Sequence, residues 1–502
     1  MNKFPAIVFI LLLIPVAGIT FNSCSRQQAE STDRLTITIG YWGLREFGND
    51  PWGQFIEEKF NINIVPRFVD LNNTAETFRL WGATDDLPDV IAAYPLTEAW
   101  FYEYVDQGLL REIPYSMISG YPNVKHLFDS IESIRQTAEI LGGHYVLPRP
   151  SSVRLPRIAN NSGIYYRKDW AEKLGFTEVT DMETFHEMLR AFVHKNPERE
   201  GMITFGHTGN ISSLLSGFGA FFYHWTEGPD GRAMPGWMDE ETMIPALYWL
   251  RRAYQEGLLD PEFTTNRAQV ESSFVQGTFG AATYIVGGTG WLEDLIKQAN
   301  PNSNPSVAIL PPLSARKGER AYHPVMLANG GTLFSDRISD EAIERLLAMA
   351  QWMLTEEGQI FCSLGFEGID WERDQNGALN MLHNDVLWTK YPSMVMNSFA
   401  YWTWGFEYTD SPYHSEEGKK QIRDWYETAN IAATGTKINQ MATMLPTPER
   451  SIFGAFNAHA RLIEIITGTG SIEAMYSALI KEAEAFGSQA AIDSVHKILA
   501  GL

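Results

Sequence analysis

From Leu35 to Ala92 the chain switches repeatedly between two periodicities, and this alternation restricts its possible architectures more than any other feature. Leu35 to Trp42, LTITIGYW, alternates and is rich in β-branched residues, which is the pattern of a strand. Pro51 to Phe60 reads as a helix and feeds a second extended run, Ile62 to Phe68. Thr74 to Thr84 is again helical. The turn Asp85-Asp86-Leu87-Pro88 then leads into a short buried strand, Asp89-Val90-Ile91-Ala92. Strand, helix, strand, helix, strand predicts a parallel sheet covered by helices.

Beyond residue 140 the character changes. Leu141 to Pro150 has a Gly-Gly turn and an extended run, and Ser162 to Arg167 reads as a strand. Lys168 to Gly175 reads as a short helix closed by a C-cap glycine. Amphipathic helices are expected at Thr184–Val193, Met243–Gln255 and Asp340–Thr355. Gly330 to Phe334 looks like a returning strand, and Ser451 to Leu499 is almost entirely helical. These elements predict a mixed α/β protein of two lobes.

The amino terminus carries a separate message. Met1-Asn2-Lys3 is basic, and Phe4 to Phe21 contains no charge, the pattern of an export signal. Asn22-Ser23-Cys24-Ser25 follows and resembles a lipobox, in which Cys24 becomes the lipid-bearing first residue. Phe21 and Asn22 depart from the usual residues there. The alternatives are an uncleaved membrane helix, since the run could just span a ~30 Å hydrocarbon core, and plain secretion. All three export the remainder, behind a polar tether at residues 25–34. The second cysteine, Cys362, has no disulfide partner if Cys24 bears lipid. Stability then rests on a hydrophobic core, which 44% apolar residues in 502 readily supply. A net charge of −22 argues against nucleic acid, whose phosphates require clustered Lys and Arg.

Catalytic and metal chemistries find little support. Sixty-one acidic residues make accidental carboxylate pairs certain, yet nothing sets Glu46 or Asp89 opposite a partner across a glycosidic bond. The eleven histidines never take the i, i+4 spacing of a metalloprotease helix. Gly-Gly-Thr-Gly at 287–290 lacks the Gly-Lys-Ser/Thr end of a phosphate loop. What remains is an aromatic inventory of fifteen Trp, twenty Tyr and twenty-eight Phe, more than packing needs. A sugar ring has an apolar C–H face and a hydroxyl edge, so its binder needs flat aromatics beside hydrogen-bonding side chains. Trp42, with Arg45 and Glu46, lies at the end of the first strand, and Tyr94 lies just past the third; ligands of open α/β sheets bind outside such ends. Trp225, Trp291 and Trp371 sit in Gly- or Asp-containing loops, while Trp402, Trp404 and Glu407 belong to an aromatic run from 397 to 407. Trp249 and Trp352, inside amphipathic helices, are expected in the core. Arg149 and Arg154 stand out in an acidic chain and could hold a uronic acid carboxylate; pairing with the protein's own acids is the blander reading.

Several segments carry a family resemblance. These are LPDVI at 87–91, GLL at 108–110, YPN at 121–123, GIYYRKDWAEKLGF at 163–176 and YQEGLLDPEFTTNRAQ at 254–269. LTEEGQIFCSLGFEGIDWE at 354–372 and ITGTGSIEAMYSALIKEAEAFG at 466–487 complete the set. Together they resemble the extracellular solute-binding lipoproteins of carbohydrate ABC transporters, in the large oligosaccharide-binding class. The resemblance implies a two-lobed, type II-like periplasmic-binding-protein fold with several interlobe crossovers and a helical carboxy-terminal region. One lobe would comprise residues 35–161 plus about 325–365, and the other 162–324 plus about 366–502, with the last crossing between about 365 and 440. It also implies a monomer without cofactor or catalytic residue, which closes on an oligosaccharide and delivers it to ABC permease subunits. A peptide or other non-sugar solute binder, a surface glycan-degrading enzyme and a receptor that signals to a membrane sensor are the alternatives. Some relatives carry an acidic calcium loop after the helix matching Thr184–Val193. Here His194 to Gly201 lacks regularly spaced oxygen ligands, so no structural calcium is expected there.

Overall fold

The computed structural model describes residues 34–43, 47–70, 73–93, 99–149, 159–195, 202, 204–263, 266–287, 289–315, 320–324, 330–383, 387–396, 411–445 and 447–501. Thirteen strands occur among them. They are β1 (Leu35–Gly43), β2 (Ile62–Asp70), β3 (Val90–Ala93), β4 (Leu147–Pro148), β5 (Ser162–Arg167), β6 (Phe205–Thr208), β7 (Trp225–Glu227), β8 (Ala233–Pro235), β9 (Phe279–Ile285), β10 (Val307–Leu310), β11 (Gly331–Phe334), β12 (Trp371–Arg373) and β13 (Leu379–Met381).

The expected parallel unit is present: β1 runs parallel to both β2 and β3, in the order β2-β1-β3. The sheet is nevertheless mixed, because β11 joins β3 antiparallel and β4 joins β11 antiparallel, extending the order to β2-β1-β3-β11-β4. A second sheet has the order β10-β5-β9-β6, in which only β6 and β9 are parallel. Two small hairpins, β7-β8 and β12-β13, complete the strands.

Local sequence explains where the helices start. Asp50 Oδ1 accepts from the backbone N–H groups of Trp52 (3.0 Å) and Gly53 (3.1 Å), capping the helix Pro51–Phe60. Asp181 does the same for Glu183 and Thr184 at the start of Met182–His194, and Ser339 caps Asp340–Met353 through Ala342. Each helix turns an apolar stripe to a sheet. Ile37, Ile39, Ile56, Val90 and Phe334 pack with Ile343, Leu346 and Leu347 on the first sheet. Phe185, Leu189 and Phe192 pack with Ala281, Leu247 and Leu250 on the second. Trp249 lies in this second core, whereas Trp352 is only partly buried against the first.

The chain beyond residue 366 contributes to both cores. Leu387, Tyr391 and Met394 join the core of the first sheet, and Ser393 N donates to Asp50 Oδ2 at 2.8 Å. The helix Glu416–Ala433 packs instead with Val286 and Tyr322 beside the second sheet. The carboxy-terminal region is helical through Pro448–Phe453, Ala458–Thr467, Ile472–Phe486 and Ser488–Leu499. No helix among the described residues is long and apolar enough to cross a membrane.

Candidate functional site

Strand direction decides which loops gather at one edge. Gly331, which opens β11, pairs with both Ala93 at the end of β3 and Pro148 at the end of β4. The parallel strand β1 ends beside them at Gly43. Arg149 continues β4, and its backbone N–H donates to Gly330 O at 3.1 Å. Its guanidinium lies 5.1 Å from the Trp42 ring centroid, within cation–π range. Both side chains are largely withdrawn from solvent, Trp42 at 8% and Arg149 at 6% exposure. Two of the expected ligand groups therefore meet at the strand ends.

The second sheet has a corresponding edge. Ser162 opens β5 opposite Ile285, which closes β9, and β6 ends parallel to β9 at Thr208. Val286 N donates to Asn161 O at 2.6 Å. The two edges are linked by a pair of chain segments that are antiparallel where described: Ala159 bridges Pro324, and Asn160 N donates to His323 O at 2.9 Å.

Polar groups that sequence reasoning missed collect around this link. Asn210 Oδ1 accepts from Ser212 N (2.9 Å) and Ser212 Oγ (2.6 Å), and the same residue's side chain bonds the exposed Tyr223. Ser216 Oγ meets His323 Nδ1 at 2.9 Å, and Ser213 Oγ lies 3.4 Å from Tyr322 OH. The Nδ2 of Asn161 is buried and has no hydrogen-bond partner among the described residues, which is costly for an amide and suits a site built to receive one. Burial pushes His323 down to about 3 and His224 down to about 4, so both rings are neutral at neutral pH. Neutral imidazole, amide and hydroxyl groups form an array suited to uncharged hydroxyls. The available signal was Gly209-Asn210 directly after a short strand, a turn pattern too common to single out.

Other expected site residues lie elsewhere. Trp225 opens β7 with only 6% exposure, inside the core of the second sheet's helices, and Arg450 lies 5.0 Å from its ring. It is a packed ring. Trp291 is half-buried on the helix Gly290–Ala299, with its ring 5.7 Å from Tyr284. Trp371 is 5% exposed in the β12-β13 hairpin and lines a cavity with the helix Glu356–Leu364. Arg45, Glu46, Tyr94, Arg154, Trp402, Trp404, Glu407, Cys24 and the stretch 196–201 lie outside the described residues. Among the described residues no group of three or more His, Cys, Asp or Glu is placed to hold a metal ion.

Two mixed sheets, with polar and aromatic groups at their strand ends, match the class of periplasmic solute-binding folds. Residues 46–360 match the family described as bacterial extracellular solute-binding protein, and the chain belongs to that family. It is a solute-binding, non-enzymatic transport component. Lipoprotein LipO of Bacillus subtilis is 23% identical over 443 residues, covering 85% of this chain and 84% of that protein. Among solved structures, the Streptococcus pneumoniae ABC-transporter substrate-binding protein FusA, in complex with kestose, superposes with a TM-score of 0.68 at 16% identity. The match covers 94% of this chain and all of that one. The alginate-binding protein AlgQ2 gives a TM-score of 0.66 at 17% identity over 93% of this chain and 98% of its own. These structural likenesses concern the fold.

Proposed function

We propose that the protein binds an oligosaccharide outside the cytoplasm, between the strand-end edges of its two sheets, and delivers it to an ABC permease. The observation that carries this reading is the meeting of Trp42 and Arg149 at one edge, linked by the crossing segments to the neutral polar array of Asn161, Asn210, Tyr223 and His323. An aromatic platform takes the C–H face of a sugar while amides and hydroxyls take its rim. Trp402 and Trp404 are further platforms on this reading, with Arg45, Glu46, Tyr94, Arg154 and Glu407 as polar or aromatic partners. The sugar-bound neighbours, with kestose in one structure and laminaribiose in another, support a carbohydrate over a peptide.

Closure of one lobe on the other about the crossing segments would exclude water and present the loaded form to the permease. The first lobe would then comprise the five-stranded sheet with the segment through Met394, and the second would comprise the four-stranded sheet with the carboxy-terminal helices. Cys24 would hold the protein at the membrane by a lipid, as the name of the Bacillus relative suggests. Detergent partitioning that disappears in Cys24→Ala tests the anchor, and unchanged partitioning would defeat it.

Arg149 adds a preference for a uronate-bearing sugar, because guanidinium pairs bidentately with carboxylate. Titration of neutral and uronate-bearing oligosaccharides, with a peptide panel as control, tests both levels. Trp42→Ala should weaken sugar binding about tenfold, the loss of one stacking platform. Arg149→Gln should remove any advantage of the uronate. Sugar affinity unchanged in Trp42→Ala, or a preference for peptides, would overturn the reading.

A further inference from the structure

The cavity that contains Trp371 draws no lining residue from either strand-end edge. It has a volume of about 360 Å³, at the small end of the range for ligand sites, and lies between the helices Pro51–Phe60, Asp340–Met353 and Glu356–Leu364 and the β12-β13 hairpin. Its apolar wall combines Ile360 with five aromatic rings, Phe55, Trp352, Phe361, Phe366 and Trp371. The rings brace one another, with Phe55 and Phe361 centroids 4.5 Å apart and Phe366 edge-on to Phe361 at 5.2 Å.

The hairpin side is held firmly. Asp370 is fully buried, and its carboxylate accepts from Phe366 N (2.8 Å), Lys390 Nζ (2.6 Å) and Tyr391 OH (3.0 Å). Gly365 takes φ +74°, and a Cβ there would stand 3.0 Å from Asp370 Cγ, so the chain passes as closely as glycine allows. Trp371 Nε1 donates to Gly365 O at 3.1 Å, which fixes the ring.

The rim is acidic. Glu356, Glu357 and Glu367 line the cavity together with Arg373, whose guanidinium stands 3.9 Å from Glu356. Glu367 is exposed and has no ion pair among the described residues, and Lys59 stands 3.7 Å from Glu357, beyond a normal hydrogen bond. The rings already attract the protein's own cations. Lys59 Nζ lies 4.6 Å from the Trp352 centroid and 5.6 Å from that of Phe55, and Arg373 Cζ lies 5.7 Å from Trp371. Aromatic faces beside carboxylates favour a cation twice over, through the ring quadrupole and through direct charge. An anion would meet the acidic rim, and a neutral apolar group would use only half of the site.

We propose that this cavity is a second binding site, separate from the strand-end site, for an organic cation: an ammonium or guanidinium group on an apolar stem. Choline and its neutral carbon isostere 3,3-dimethylbutan-1-ol, titrated into the purified protein and followed by the indole N–H resonances of Trp352 and Trp371, test it. Choline should shift both resonances and bind about tenfold more tightly than the isostere. Glu367→Gln, a change at an exposed position that leaves the packing intact, should weaken choline about threefold and leave the isostere unaffected. Trp371→Ala should abolish the discrimination. Equal binding of the two probes, an unaltered choline affinity in Glu367→Gln, or displacement of choline by the oligosaccharide would each overturn the proposal.

Discussion

His207 is 1% exposed on β6, with its Nε2 2.9 Å from Thr283 Oγ1 on the adjacent β9, and His323 is 7% exposed at the crossing. Burial pushes each ring down to about 3, slightly opposed for His207 by the Asp260 carboxylate and reinforced for His323 by His224. An unfolded histidine titrates near 6.5, so below that pH the unfolded chain binds protons that the folded one refuses. Their stabilising contribution is complete above about pH 6.5 and declines as pH falls towards 3, by up to about 1.4 kcal/mol per pH unit for each ring. Urea unfolding at pH 7 and pH 5 should show this loss, and the double variant His207→Asn/His323→Asn should show a shallower one. An equal slope in the variant would assign the loss to carboxylates instead. These histidines were visible in the sequence but their burial was not. The same limit applied to the tryptophans: a Gly- or Asp-flanked ring reads alike whether it lies at a strand end, as Trp42 does, or packs among helices like Trp225.

Elements with a clear period were legible. Ser162–Arg167 and Pro51–Phe60 have the expected bounds, and Asp340–Met353 ends two residues early. β9, an inner strand of the second sheet, is not read from the sequence, because Phe279–Tyr284 is buried throughout and shows no alternation. β4 has two residues, too few for any pattern. The sequence of β9 makes sense only against its neighbour: a Cβ on Gly280 would lie 2.8 Å from Phe192 Cγ on the helix Met182–His194. Helix and strand approach as closely as this glycine permits. Gly280→Val should destabilise the protein by about 3 kcal/mol through overpacking. The second substitution Phe192→Leu should restore part of that in a double-mutant cycle of urea midpoints. Additive losses would show that the two positions do not share the contact.

At the scale of the molecule, the parallel unit at 35–93 was plain in the sequence, and the mixed character of its sheet was not. Short-range patterns reveal a strand but not its distant partner, and β3 waits for β11 across most of the second sheet's sequence. A chain ending at Arg320 lacks β11 altogether. It should expose the edge of β3, lose cooperative unfolding of the first sheet and scatter light at concentrations where the full chain is clear. A soluble fragment with an intact transition would show that β2-β1-β3 is self-sufficient.

The antiparallel seam between β3 and β11 also bears on biogenesis. A polypeptide made and threaded from its amino terminus presents β3 long before the strand that covers it has emerged. Each partner must therefore remain unpaired through an interval set by the speed of synthesis and export. Loop closure over so long a separation is slow, and a bare strand edge invites pairing with a neighbouring chain. Sealing of the first sheet then waits for a segment delivered from beyond the strands of the second, and the second sheet waits in turn for the carboxy-terminal helices that cover it.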